Sequence, residues 1–230
     1  MGKPGAWARI LTCGCCAVLC AGLSAPACAD EMLDAVDSGN YDQDGDHSHN
    51  NTNYLTGDTA AAGVAENRAF FVFDLSAVHE QIVGARLTAY NPGLVPDDHD
   101  GFTSPDAYET LTVFDVATDV ATLRAGGSGL IAIFDDLGGG PSYGSVDVDE
   151  QCNATMVSVT LNQDALDALN LATGEFAFGT ALTTLAGNPS QYVFGYTSAA
   201  YQRSLILYYE SIFSDGFEDG HTVDWSDTVD

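Results

Sequence analysis

The chain has 230 residues, 46% of them hydrophobic and 10% aromatic, enough to bury the core of one domain without disulfide staples. Its formal net charge of −27, from 33 acidic residues against 6 basic ones, argues against nucleic-acid or anionic-membrane partners, which are held by Lys and Arg contacts. The same field keeps the chain soluble and attracts divalent cations.

Residues 1–29 read as a cleavable secretory signal peptide. Lys3 and Arg9 supply a positive start, residues 10–23 an apolar core, and Ala27-Cys28-Ala29 a small-x-small cleavage pattern before Asp30. The apolar core is shorter than the ~20 residues a membrane span needs. A lipid anchor on Cys28 is the alternative reading of the same stretch. Cleavage would remove the only lysine and five of the six cysteines, leaving four arginines and Cys152. The expected product is thus a secreted, extracellular polyanion without an internal disulfide framework.

Residues 30–52 are polar and are expected to be irregular. From 53 to 210 the chain becomes a series of short apolar or alternating runs between turn residues. Strands are predicted at 68–75, 83–90, 108–116, 130–134, 155–161, 175–179, 191–196 and 203–209, each rich in Val, Ile, Thr, Phe or Tyr. In the second, Ala85, Leu87 and Ala89 alternate with Arg86, Thr88 and Tyr90; Val157, Val159 and Leu161 alternate likewise. One helix is predicted over 163–171, capped by Asn162 and stopped by Gly174. The pattern predicts an all-β fold, a jelly-roll-like antiparallel β-sandwich with one short helix. The stretches 91–106 and 136–150 read as long loops, where binding residues usually sit. The pair Phe-Asp recurs at 73–74, 114–115 and 134–135, which suggests a buried Phe ending a strand and an Asp bonding the turn. Residues 211–230 form an acidic tail.

Three stretches carry a resemblance: 38–57 (SGNYDQDGDHSHNNTNYLTG), 68–93 (RAFFVFDLSAVHEQIVGARLTAYNPG) and 109–123 (ETLTVFDVATDVATL). They resemble a group of bacterial exported proteins with an N–Y–x–x–G, then R–x–F–F–x–F–D–L–S, then an A–x–L strand. The second stretch is also similar to the core of DNRLRE-type modules, secreted β-sandwiches of which some resemble carbohydrate-binding modules. The resemblance implies a fold more than an activity, and brings no catalytic motif with it. The stretch 212–226 (IFSDGFEDGHTVDWS) is similar to a recurring tail of secreted bacterial proteins, F–x–D–G–F–E–S–G–D–T–S–x–W–S, with departures at Asp219, His221 and Val223.

Five kinds of chemistry can be set against these residues. Asp42, Asp44, Asp46, Ser48 and Asn50 place oxygen at alternate positions of a loop, as a Ca²⁺ site requires. The loop departs from an EF-hand, with His47 at the glycine position, Gly45 displaced and Asn53 at the position of the bidentate Glu. A second acidic run lies at Asp97-Asp98-His99-Asp100. His47, His49 and His99 could ligate a transition metal, although no third ligand is fixed by spacing. Gly140-Pro141-Ser142-Tyr143-Gly144 matches a nucleophile elbow in letters but lacks the strand before it and the helix after it. Asp37-Ser38-Gly39 occurs once, without the second copy an aspartic dyad needs. Finally, Tyr54, Tyr90 and Tyr143, with Tyr108, Tyr196 and Tyr201 beside them, are candidate platforms for a sugar ring, although the only Trp beyond the leader is Trp225. The reading these residues favour is a non-catalytic exported module that binds an extracellular glycan or matrix component, with Ca²⁺ as the one plausible cofactor. The alternative is an extracellular polysaccharide hydrolase or lyase using a carboxylate pair.

Overall fold

The computed structural model describes residues 29–59, 66–93, 100–186 and 190–210. The expected signal peptide up to residue 28, the tail 211–230, and Asp97, Asp98 and His99 lie outside them. The strands are β1 (Ala29–Asp34), β2 (Asp37–Asp42), β3 (Thr56–Asp58), β4 (Glu66–Asp74), β5 (Ile82–Asn91), β6 (Glu109–Asp115), β7 (Ser142–Val148), β8 (Thr155–Thr160), β9 (Glu175–Leu182), β10 (Gln191–Val193) and β11 (Arg203–Tyr209). Three helices intervene: α1 (Val120–Ala125), α2 (Ile131–Gly139) and α3 (Gln163–Leu171).

The strands pair antiparallel in two sheets, one in the order β1-β11-β5-β8 and the other β10-β3-β4-β9-β6-β7, with β2 also on β4. When the short strands β2, β3 and β10 are set aside, the eight that remain fall four to each sheet, and the chain changes sheet at every step except from β6 to β7. The first long strand lies beside the last, and the second beside the next to last. This is the jelly-roll order, and the expected all-β sandwich is the observed fold.

The main core lies between the sheets. Phe71, Phe73, Leu87, Val113, Phe178, Leu205 and Leu207 meet there, and Leu166 and Leu169 of α3 close one side. Asn162 caps α3 as expected, its side chain accepting from the Ala165 N–H at 3.1 Å.

A second core sits outside the seven-stranded sheet. Phe70 and Val72 of β4 and Ala177 of β9 pack there beneath Leu123 of α1 and Ile133, Phe134 and Leu137 of α2. Both faces of β4 are therefore covered, which explains an unbroken apolar run from Ala69 to Phe73 in place of alternation. The helix can lie this close because position 179 is glycine; a Cβ there would stand 2.4 Å from the Leu137 carbonyl oxygen.

Several expectations are corrected. The run 130–134, predicted as a strand, is the start of α2, because Ile133, Phe134 and Leu137 share a helical face aimed at the sheet. A five-residue apolar run has no periodicity that separates the two states. The stretch 136–150 is not a loop but the end of α2 followed by β7. Residues 30–52, expected to be irregular, supply β1 and β2, one to each sheet. Of the Phe-Asp pairs, Asp74 bonds the turn, accepting from the Ser76 N–H, and Asp115 accepts from the Tyr143 hydroxyl. Phe134-Asp135 lies within α2.

Candidate functional site

The loop after β2 is built by its own aspartates. Asp42 Oδ1 accepts from the Asp44 and Asp46 N–H groups, each at 3.0 Å, which turns the chain back on itself. Asp46 Oδ1 accepts from the Gly129 N–H at 2.8 Å, and His47 and Gly127 exchange two backbone hydrogen bonds of 2.9 Å. The loop is thereby tied to the turn between α1 and α2.

His47 drives the attachment. Its ring is buried against Tyr41 and edge-on to Phe70, with centroids 4.8 and 5.3 Å away. It fits because residue 39 is glycine; a Cβ there would stand 2.6 Å from the His47 Cε1. Nδ1 lies 2.9 Å from the Asn40 carbonyl oxygen, which can only accept, so Nδ1 carries the proton of the neutral ring. Burial holds the His47 pKa below its ordinary value, against the opposing pull of the Asn40 carbonyl and of Asp37.

Beside this loop opens a polar cleft of about 400 Å³. An amide ladder runs along one wall. Asn51 donates to Asn40 Oδ1 at 3.4 Å, Asn40 donates to Asn67 Oδ1 at 2.9 Å, and Asn67 donates to the Gly57 carbonyl at 3.4 Å. Asp42, Asp46, Ser48 and Ser128 add further oxygens, and Tyr196, 41% exposed, supplies the aromatic side. The Tyr196 hydroxyl lies 3.3 Å from Thr59 Oγ1, which fixes the ring at the rim. The cleft thus offers neutral donors and acceptors, carboxylates and one aromatic edge, the mixture that recognises a polyhydroxylated ligand.

The predicted residues are dispersed by the fold. Of the calcium set, Asp42, Asp46 and Ser48 line the cleft, whereas Asp44 and Asn50 point to solvent. Among the described residues no three His, Cys, Asp or Glu side chains are grouped closely enough to hold a metal ion. Asp100 is buried and bonds Thr197 through both carboxylate oxygens, so it straps two loops together. Tyr54 and Tyr143 are corrected as ligand platforms. Tyr54 is fully buried between Phe71 and Phe194, donating to the Tyr90 carbonyl, and Tyr143 is buried with its hydroxyl on Asp115. Tyr90 is half-buried on the outer face of the four-stranded sheet, far in sequence from the cleft residues. Cys152 is a buried thiol, and His49 and His79 are exposed. Ser142 follows α2 and opens β7, the reverse of the order an elbow needs. Asp37 pairs with Arg124 at 3.0 Å.

Sequence reasoning missed Asn40, Asn51 and Asn67, whereas Tyr196 was among the candidate tyrosines. A signal was present for two of them. Asn is depleted in strands, and Asn40 and Asn67 sit inside β2 and β4 with almost no exposed surface. A comparison with protein-family models gives no match, and a comparison with curated proteins gives none either.

Proposed function

We propose that this chain is an exported, non-catalytic β-sandwich that binds an extracellular glycan or glycan-bearing matrix component in the cleft beside Tyr196. The observation that carries the reading is the amide ladder Asn40–Asn51–Asn67 facing an aromatic rim, with Asp42 and Asp46 at the same opening. Side-chain amides and carboxylates match the paired hydroxyls of a sugar, and the tyrosine edge matches its C–H face. The carboxylates of Asp42 and Asp46 are occupied in shaping their own loop, which favours binding over acid–base chemistry on a glycosidic bond. Calcium from the exterior, if held at Asp42, Asp46 and Ser48, is an accessory to this reading and not a condition of it.

The experiment is retention of the secreted protein on insoluble polysaccharides, with and without a calcium chelator. Retention on at least one of them supports the proposal. Failure to be retained on any, in both conditions, removes it. A melting temperature lowered by the chelator would support calcium at the loop, and an unchanged one would remove it.

A further inference from the structure

The outer face of the four-stranded sheet carries a second set of groups that the cleft does not use. On β5 the residues Ala85, Leu87 and Ala89 point into the core, so Arg86 and Tyr90 point out on the same side. Across the sheet one row runs Met32, Ile206, Arg86, Thr160, one residue from each strand. Tyr90 stacks on Tyr201 with centroids 4.9 Å apart and planes inclined by 24°. Tyr201 is 38% exposed, and Met156, opposite Tyr90 on β8, is 40% exposed.

Arg86 stands apart electrically. Arg68 pairs with Glu66, Arg124 with Asp37 and Glu175, and Arg203 donates to the carbonyls of Ala199 and Tyr201. Among the described residues Arg86 alone of the arginines has no ion pair or hydrogen bond, in a chain of 33 acidic residues. Its row neighbours are two apolar side chains and one hydroxyl. The carboxylate of Asp34, at the sheet's edge, is engaged by the Ser204 hydroxyl. Asp30 and Asp34 lie on the same side but on the edge strand β1, two strands away from Arg86, whose guanidinium is therefore an exposed fork without a paired carboxylate or sulfate.

We infer that this face binds an acidic glycan laid along β5, an acid group on Arg86 and a sugar ring on the Tyr90–Tyr201 platform. Four residues of strand separate the two contacts by about 13 Å, a span of two or three linked rings. The chain's net negative charge repels a glycan with an acid on every ring, while charges more than ~8 Å apart are largely screened at physiological salt. The ligand class is therefore a glycan with one acidic sugar for every two or three rings. It needs nothing from the cleft, so the two proposals stand or fall separately.

The test is titration of the full secreted chain with hyaluronan oligosaccharides (alternating acidic and neutral rings), polygalacturonate oligosaccharides (every ring acidic) and neutral dextran. Hyaluronan is expected to bind best, with affinity about tenfold lower in Arg86→Gln and in Tyr201→Ala, and unaltered in Tyr196→Ala, a cleft variant. A chondroitin sulfate oligosaccharide separates sulfate from carboxylate as the group on Arg86, and either one responding to Arg86→Gln supports the inference. Both substitutions are at exposed positions, and unchanged melting curves establish that the variants fold. Absence of hyaluronan and chondroitin sulfate binding overturns the inference. So does binding that is equal for dextran, or indifferent to Arg86→Gln.

Discussion

Glu109 has no exposed surface, yet it is a carboxylate. It is tolerated because three donors surround it: Ser104 and Thr184 through their hydroxyls, and Gln191 through its amide at 2.7 Å. These come from three stretches of chain, so one side chain ties the start of β6 to two loops and to the first residue of β10. Replacing Glu109 with Ala strands all three donors and should cost about 3 kcal/mol. Chemical denaturation checks this; a loss under about 1 kcal/mol would mean that water replaces the carboxylate freely. His47 gives a prediction with a sign. Its pKa is held down in the folded chain, so the unfolded chain takes up a proton first as the pH falls. The stability it contributes is complete above its ordinary value of 6.5 and is lost progressively as the pH drops through and below it. Asp37 and His49 are the charged groups that act on the ring, in opposite directions. The protection of the Asp46–Asn51 amides against hydrogen exchange, taken relative to the intrinsic exchange rate at each pH, should fall on acidification from pH 7 to 5. A His47→Gln variant should lack that step; an identical pH profile in both proteins would contradict the assignment.

At the scale of elements, the molecule is a sandwich with an added helical layer. The layer depends on Gly179, where α2 touches β9 at its closest. Gly179→Val forces the helix away from the sheet and should cost about 2 kcal/mol. In a chain of this size that is a fall of about 4–8 °C in melting temperature. An unchanged melting temperature would show that α2 is not seated as described. This layer also marks the limit of what the sequence made legible. The strands with clean alternation, β5 and β8, and the capped helix α3 were readable because local pattern and tertiary environment agree there. Helix α2 was misread because its apolar run is short and its helical face is defined only by the sheet beneath it. Helix α1 was missed although Asp119 caps it, accepting from the Ala121 and Thr122 N–H groups, and Gly126 ends it. The site followed the same division. The aspartates of the 42–46 turn were legible as a loop-building set, and their position at the cleft was not. Tyr54 and Tyr143 could not be told from exposed tyrosines, since only the fold decides which face of a strand is covered.

For the whole molecule, the sheets do separate jobs. The seven-stranded sheet is covered outside by α1 and α2, and its β2–β4 margin carries the cleft. The four-stranded sheet leaves Met32, Met156 and Tyr201 exposed on its outer side. Acidic residues dominate the chain's charge, and among the described residues those that are buried serve as hydrogen-bond acceptors: Asp100 for Thr197 and Glu109 for its three donors. The surplus negative charge favours solubility and disfavours densely charged polyanions as ligands. The central feature of the molecule is the cleft beside Tyr196. Its most direct test is a screen of a neutral-glycan array followed by titration of the best ligand against the wild type, Tyr196→Ala and Asn51→Ala. Binding by the wild type is expected, with affinity about tenfold lower in each variant and melting temperatures preserved. A neutral glycan that binds all three proteins equally, or a wild type that binds no neutral glycan, would contradict that expectation.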